Sequence, residues 1–199
     1  FPSTHVVYEG FEETKFDNVI VITPRIFEDD RGYFCETYNV ENLKELGFDE
    51  HMVQDNQSKS QKNVIRGMHY QWNGPMGKLV RVIKGAVKDI IVDIRKYSST
   101  YGESESFLLT EDNNKQLWVP PGFAHGILSL EDNTIVSYKC SSVYNAEGES
   151  GLNPFDSFLN IDWGIDQATA IVSDKDKIAK GFLDYDISPK FFYKRGYPG

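Results

Sequence analysis

The sequence has little cysteine and no long hydrophobic run, and both shortages narrow the class of protein. Its 199 residues include two cysteines, Cys35 and Cys140. These form neither a metal-ligand spacing nor a disulfide framework, which is typical of a reducing compartment. No apolar run approaches the length of a membrane span, and the start of the chain shows no secretory leader pattern. We therefore expect a cytoplasmic protein that makes no contact with a membrane.

Positive charge is also scarce. Lysine and arginine total 21 against 30 aspartates and glutamates, so the formal net charge is −9. Nucleic-acid binding depends on neutralising many phosphates, and we expect no nucleic-acid partner. A small phosphorylated ligand can still bind if the electrostatic potential is positive at its own site. The cations placed to provide it are Arg66, Lys78, Arg81, Lys139 and Lys175.

What the chain does contain is a long series of short strand patterns separated by turn signals. The predicted strands cover residues 18–23, 33–38, 53–57, 64–71, 79–84, 87–95, 104–110, 116–119, 124–130 and 134–143. Only two stretches favour a helix, 40–46, which ends at Gly47, and 174–179. Short strands at this spacing indicate an all-β sandwich or barrel. We predict one domain, with a core over about residues 18–180 and an aromatic, basic tail at 187–199 packed on the surface or on a neighbour.

Alternation along the predicted strand 87–95 places Asp89 and Asp93 in one row with aliphatic residues. A buried carboxylate without a partner is costly, so each aspartate needs an explanation. Asp93 lies near the strand end, and we expect it to be solvated or to cap a turn. Asp89 lies deeper in the strand, and we expect it to orient a histidine.

Histidine is rare, with four in the chain, and two of them lie in strand-and-turn surroundings. His69 follows Arg66-Gly67-Met68, and His125 follows the turn of 118–124, whereas His5 and His51 lie at the N-terminus and beside an acidic turn. Imidazole is the side chain best suited to moving a proton near neutral pH. Strict alternation puts Arg66 and His69 on opposite faces. One pocket can hold both only if the strand bulges, and Gly67 permits a bulge.

Metal chemistry is the competing use of these histidines. A metal-dependent barrel typically needs two closely spaced histidines, a carboxylate a few residues on and a third histidine on a later strand. Tyr70 and Gln71 follow His69, and no acidic residue occurs between His69 and Asp89. The residues therefore favour acid–base chemistry without a metal, and a metal-dependent enzyme remains an alternative.

Further segments accompany the two histidine motifs in a definite order. They are FEDDRGYFCE (27–36), VQDNQSKS (53–60), RGMH (66–69), GKLVR (77–81), VDIR (92–95), STYG (99–102), QLWVPPGFAHG (116–126), YK (138–139) and SDKD (173–176). Over about residues 20–176 the chain resembles the dTDP-4-dehydrorhamnose 3,5-epimerase family. The resemblance implies a cupin-like β-jelly roll with short peripheral helices that forms a homodimer. It also implies action on a nucleotide-linked 4-keto-6-deoxy sugar, with no metal and no cofactor.

The same resemblance implies four catalytic roles. His69 is the base, Asp176 is its carboxylate partner, Tyr138 is the opposing acid and Lys78 stabilises an enolate oxygen. Tyr144 competes with Tyr138 for the acid role. Each residue also has an ordinary structural reading, and a non-catalytic sugar-nucleotide binding module is a further alternative.

The resemblance also assigns substrate or nucleotide contacts. These fall on Phe27, Arg31, Glu36, Gln54, Asn56, Arg66, His125, Glu149 and Lys175, with Tyr144 as a further candidate. Phe27 and Arg31 are expected to reach across to the partner subunit. The chain departs from the family at Asn153-Pro154-Phe155-Asp156, where the family usually has a tryptophan and an Asp-Pro step. We expect this segment near the mouth of the site, which leaves open whether carbon 3, carbon 5 or both are inverted.

Overall fold

The computed structural model describes residues 7–194, so His5 and residues 195–199 of the predicted tail lie outside it. This range contains three short helices, α1 (Val40–Glu45), α2 (Asp174–Lys177) and α3 (Phe182–Ile187). The strands are β1 (Tyr8–Glu13), β2 (Ile20–Pro24), β3 (Phe27–Asp29), β4 (Gly32–Phe34), β5 (Gln54–Ser60), β6 (Val64–Gln71), β7 (Lys78–Lys84), β8 (Ala86–Asp93), β9 (Arg95–Lys96), β10 (Ser104–Thr110), β11 (Gln116–Val119), β12 (Phe123–Ser129), β13 (Thr134–Cys140), β14 (Glu149–Gly151), β15 (Ile171–Val172) and β16 (Phe191–Phe192). None of the helices in residues 7–194 has the length and hydropathy needed to cross a membrane.

Two six-stranded sheets form the body of the molecule. Sheet I has the order β1-β2-β11-β7-β13-β5, and sheet II has the order β10-β8-β12-β6-β14 with β15 added beside β6. Within both sheets the pairing is antiparallel, except that β15 runs parallel to β6. Strands distant in sequence are neighbours in space. This arrangement confirms the predicted cupin-like β-jelly roll with short peripheral helices.

The main hydrophobic core lies between the facing surfaces of the two sheets. Sheet I contributes Val80 and Val136, and sheet II contributes Ile91 and Ile127, all at most 6% exposed. Alternation along each strand explains this, since every second side chain points inward. The inner rows reach toward one end of the sandwich, where polar side chains replace aliphatic ones.

Each sheet also has a covered outer face. Helix α1 places Leu43 on the outer surface of sheet I, where it packs with Trp118 in a second cluster. The chain after β14 returns over the outer surface of sheet II, and Trp163, Phe182 and Tyr185 pack there in a third cluster. Because both outer faces are covered, the open end of the sandwich, between the two sheets, is the place where a polar site can form.

Most predicted strands appear near their predicted bounds, and strands 64–71, 104–110 and 116–119 coincide with β6, β10 and β11. The prediction of a strand over 33–38 is wrong beyond Phe34, because residues 35–39 form an irregular strap over sheet I. The prediction of a single late helix is also wrong. Helix α3 buries Phe182 and Tyr185, but its six residues are too few to give a clear periodic signal in the sequence. In the predicted tail, β16 pairs with β9 on the surface.

Of the two alternatives expected for Asp93, the structure shows the turn cap and not solvation, since the residue is 0% exposed. Its carboxylate accepts hydrogen bonds from Arg95, Ser98 and Thr100. These bonds hold the pKa of Asp93 below its usual range although burial opposes this. The buried charge is therefore satisfied within its own turn.

Candidate active site

A cavity of about 560 Å³ opens between the two sheets at the polar end of the sandwich. Strands β5, β7 and β13 of sheet I form one wall, and strands β6, β12 and β14 of sheet II form the other. The segment 171–176 closes one side. Eight of the fourteen predicted site residues line this cavity, namely Arg66, His69, Lys78, His125, Tyr138, Glu149, Lys175 and Asp176.

His69 and Asp176 form a hydrogen-bonded pair in this cavity. His69 Nε2 lies 2.7 Å from Asp176 Oδ1, and the second oxygen, Oδ2, accepts a hydrogen bond from the Gly67 amide at 3.2 Å. The Asp176 side chain is 8% exposed, whereas that of His69 is 31% exposed and faces the cavity. Because a carboxylate only accepts, Nε2 carries the proton and Nδ1 is the ring nitrogen left for a ligand.

The bulge expected at Gly67 is present. Opposite strand β12, the residues paired with His69 and Arg66 are His125 and Ile127, so β6 has one extra residue between them. Gly67 takes a φ of +133°, which favours glycine, and a Cβ there would lie 2.6 Å from the Cα of Gly126. The bulge brings Arg66 and His69 to the same cavity despite their sequence spacing.

Helix α2 positions Asp176. Ser173 caps its N-terminus, and the Ser173 hydroxyl accepts a hydrogen bond from the Asp176 amide at 3.2 Å. Burial alone would raise the pKa of Asp176, but the hydrogen bond and charge of His69 and the Gly67 amide lower it below its usual range. The Ser-x-x-Asp sequence therefore caps helix α2, and its aspartate also binds the histidine.

Tyr138 and Lys78 occupy the facing wall. They lie on neighbouring strands β13 and β7, and the Lys78 ammonium is 5.6 Å from the centre of the Tyr138 ring. Burial raises the pKa of Tyr138, although the Asn56 amide opposes the shift. Burial lowers the pKa of Lys78, although the nearby charges of Cys140, Glu149 and Asp89 oppose it. Neither group is a solvated strand-edge residue.

Glu149 holds a small polar network at the cavity mouth. Its Oε2 accepts hydrogen bonds from the Tyr144 hydroxyl at 3.0 Å and from Lys175 Nζ at 3.3 Å. Burial would raise the pKa of Glu149, but these two bonds and nearby positive charge lower it. Tyr144 is 57% exposed and does not line the cavity. The geometry thus separates the two tyrosines, with Tyr138 inside and Tyr144 at the rim.

His125 forms a second histidine–aspartate pair, as expected for Asp89. Its Nε2 lies 2.8 Å from Asp89 Oδ2, and the side chains are 10% and 0% exposed. Arg66 is held differently, because its guanidinium donates to the Ser60 hydroxyl and the Lys59 carbonyl. Both His125 and Arg66 reach the cavity from sheet II.

The remaining predicted contacts lie outside the cavity lining. Gln54 and Asn56 are on edge strand β5, where a hydrogen bond of 3.1 Å joins their side chains and Asn56 is paired with Tyr138. Phe27 and Arg31 are in the β3–β4 hairpin, where Arg31 pairs with Asp29. Glu36 accepts hydrogen bonds from Asn39 and Asn42 at the start of α1. The hairpin and Glu36 do not line the cavity of this chain.

The departure at 153–156 is also outside the lining. The Asn153 amide donates to the Lys180 carbonyl, the Pro154 carbonyl accepts from Trp163 Nε1, and Phe155 packs on the outer cluster of sheet II. The segment is near the site all the same, because the Asn153 side-chain amide also donates to the carbonyl of Lys177, in the helix that carries Asp176. Its residues anchor the returning chain on the outer face of sheet II.

Several lining residues were not predicted, and most are apolar or small. They are Ser58, Val64, Ile65, Ile127, Val136, Ile171, Val172 and Ser173. Alternation would have identified Ser58, which shares a row with Asn56, and Val136, which shares one with Tyr138. Residues 171–173 gave no signal because β15 has only two residues. The described part of the chain has no group of three or more His, Cys, Asp or Glu residues arranged to hold a metal ion.

Comparisons with known proteins point to one family. The family model described as dTDP-4-dehydrorhamnose 3,5-epimerase matches residues 13–184. A dTDP-4-dehydrorhamnose 3,5-epimerase of Methanothermobacter thermautotrophicus is 44% identical over 168 residues, which cover 84% of this chain and 91% of that protein. The crystal structure of dTDP-6-deoxy-D-glucose-3,5-epimerase from Legionella pneumophila, in complex with dTDP-4-keto-L-rhamnose, is similar with a TM-score of 0.88 at 38% identity, covering 93% and 98% of the two chains.

A structure of an enzyme with a different named activity is also similar. It is a 3'-monoepimerase from Streptomyces bikiniensis in complex with dTDP-quinovose, with a TM-score of 0.81 at 29% identity, covering 87% and 88% of the two chains. The fold thus accommodates relatives that differ in the number of carbons inverted. The family-model match and the identity to the Methanothermobacter relative extend over most of the chain. The chain belongs to the dTDP-4-dehydrorhamnose 3,5-epimerase family.

Proposed function

We propose that this protein inverts carbon 3, carbon 5 or both in a dTDP-linked 4-keto-6-deoxy sugar, through an enolate. The observation that carries the proposal is the placement of His69 with Asp176 on one wall of a cavity and of Tyr138 with Lys78 on the facing wall. Epimerisation beside a ketone needs a base on one face of the carbon and a proton donor on the other. The names of the relatives support the same chemistry.

In this proposal His69 Nδ1 removes the proton from the carbon beside the ketone. The Asp176 carboxylate keeps the proton on Nε2 and stabilises the imidazolium that forms. The electron pair of the broken C–H bond moves into the ketone, which becomes an enolate. A positioned base of this kind contributes roughly 10²–10⁴-fold in rate.

The facing wall completes the reaction. The Lys78 ammonium stabilises the enolate oxygen, and the loss of such a contact commonly costs about 2.7–4 kcal/mol. The Tyr138 hydroxyl then donates a proton to the opposite face of the carbon as the enolate collapses to the ketone. Exchange with water returns His69 and Tyr138 to their starting protonation states, so the balance needs no oxidant and no reductant.

We propose that the nucleotide is held by the residues at the mouth and by a second subunit. Arg66 and Lys175 supply positive charge for the diphosphate, and arginine binds such oxygens in pairs. The β3–β4 hairpin exposes Phe34 at 71% and carries Phe27 and Arg31 away from its own cavity. In a homodimer this hairpin would cover the partner's cavity, which explains why Arg31 does not reach the site of its own chain.

The test is NMR of dTDP-4-keto-6-deoxyglucose incubated with the protein in heavy water. We expect deuterium at carbon 3, carbon 5 or both, with inversion at the labelled carbon. His69→Ala should abolish the label, and the matched control His51→Ala, which changes an exposed histidine, should retain it. Binding of the sugar nucleotide without wash-in by the wild-type protein would mean a non-catalytic binding module. Activity lost on dialysis against a chelator and restored by a metal would mean a metal-dependent enzyme.

A further inference from the structure

The second histidine–aspartate pair differs from the first in depth and in the source of its carboxylate. Asp89 belongs to β8, the strand beside β12, and is 0% exposed. One oxygen, Oδ2, meets His125 Nε2 at 2.8 Å, and the other, Oδ1, is buried without a hydrogen-bond partner among residues 7–194. A buried carboxylate that is only half satisfied is costly and calls for an explanation.

The pairing determines how the His125 ring presents itself to the cavity. A carboxylate can only accept a hydrogen bond, so it keeps a proton on Nε2 whether the ring is neutral or charged. No residue within 7–194 forms a hydrogen bond with Nδ1. His125 lines the cavity, and Nδ1 is therefore the ring nitrogen available to a ligand.

A simple structural role explains the pair less well. Asp93, which follows in the same row of β8, is equally buried but is fully enclosed by the hydrogen bonds of its own turn. Asp89 has no such enclosure and bonds to one side chain, which reaches the ligand cavity. Its charge is also close enough to Lys78 to oppose the effect of burial on that ammonium.

We propose that Asp89 is a positioning residue that holds His125 with Nε2–H toward the protein and Nδ1 toward the sugar of the substrate. The identity of the ligand in this inference rests on the proposed function. The orientation and tautomer of the ring are independent of it. The neutral ring accepts a hydrogen bond from a sugar hydroxyl at Nδ1, and the charged ring donates one to an anionic oxygen.

The first test uses the wild-type protein, with histidine ring nitrogens labelled with ¹⁵N and His125 assigned by the signals lost in His125→Gln. We expect His125 protonated at Nε2, and we expect its Nδ1 resonance to move when dTDP-6-deoxyglucose, which lacks the ketone, is added. A His125 ring protonated only at Nδ1, or an Nδ1 resonance unmoved by saturating ligand, overturns the proposal. Both readings are independent of catalysis, so they separate it from failure of the proposed function.

The second test is Asp89→Asn, which keeps the side-chain size but can present an N–H to the ring. We expect the His125 signals to change while those of His69 stay in place, and we expect kcat/KM to fall roughly 10- to 100-fold, as for loss of a hydrogen bond to a charged group. In the His125→Gln background the same substitution should have little further effect on kcat/KM. An equal fall in both backgrounds indicates a structural role and overturns the proposal.

Asp93→Asn is the matched control, because it removes an equally buried carboxylate from the same strand. It should lower thermal stability but leave the His125 ring signals unchanged in the folded protein. If Asp89→Asn fails to fold, the wild-type ring measurements still decide the question.

Discussion

His69 and His125 are cross-strand neighbours, with their Cα atoms paired between β6 and β12. Each imidazole has its Nε2 on a carboxylate, at 2.7 Å for His69 and 2.8 Å for His125. The carboxylates come from opposite directions, since Asp176 approaches from helix α2 at the rim and Asp89 from the sheet interior. The more exposed ring, His69, is the one we propose as the base, because a base must reach carbon.

Asp176→Asn should lower the rate of deuterium wash-in by roughly 10²-fold or more, because the amide no longer fixes the tautomer of His69 or stabilises its charged form. The fall should appear in kcat more than in KM. Asp174→Asn, in the same turn of helix α2 but exposed, is the control and should leave both constants near the wild-type values. A wild-type rate in Asp176→Asn would contradict the proposal that Asp176 assists His69.

Tyr138→Phe should separate exchange from inversion. His69 still removes the proton and returns deuterium to the same face, so wash-in continues, but the inverted product should form roughly 10²-fold more slowly without the acid. Tyr144→Phe should change KM more than kcat, because Tyr144 lies at the rim on Glu149. NMR of product stereochemistry distinguishes the two, and a loss of inversion in Tyr144→Phe alone would reverse the assignment.

Lys78→Met should stabilise the protein and remove its activity. Burial lowers the pKa of Lys78, and its ammonium has no hydrogen bond or ion pair within the described range, so the nearby acidic groups and the Tyr138 ring offset the cost of burying its charge only in part. Replacing it should raise the free energy of unfolding by roughly 1–2 kcal/mol near neutral pH. Lys84→Met, at the exposed end of the same strand, should change it by less than about 0.5 kcal/mol.

The gain from Lys78→Met should depend on pH with a defined sign. The folded-state pKa is lower than the unfolded value of about 10.4, so the destabilisation is fully present below the folded pKa. This destabilisation disappears as the pH rises from the pKa of Lys78 in the folded state to its pKa in the unfolded state. Urea unfolding at neutral and alkaline pH measures this, and a gain that grows with pH would contradict the assignment.

Gly67→Ala should destabilise the fold by about 3 kcal/mol or more, because the left-handed φ is strained for alanine and the new Cβ meets the Gly126 backbone. Gly47→Ala is a useful control, since Gly47 also has a positive φ but a Cβ added there would meet no atom within 4 Å. It should cost about 1 kcal/mol. Equal costs for the two variants in urea unfolding would show that the close approach at Gly67 has no energetic role.

The sequence predicted the fold, and eight of the residues it predicted for the site line one cavity, for physical reasons that individual residues illustrate. Alternation identified strands such as β6, and Gly67 signalled the bulge that brings Arg66 and His69 together. Helix α3 and the two-residue strand β15 were missed because such short elements depend on tertiary packing. Subunit contacts are not determined by one chain, so the roles of Phe27, Arg31 and Glu36 stay predictions, as does the single-domain organisation.

The His69–Asp176 hydrogen bond joins residues 107 positions apart in the chain. A polypeptide still emerging from the ribosome can therefore hold the complete β6 strand and yet contain only an unassisted imidazole. In the mechanism we propose, chemistry begins only when helix α2 has been synthesised and has docked beside β6. Loss of the C-terminal quarter through premature termination or proteolysis should accordingly abolish turnover even if the earlier strands remain folded.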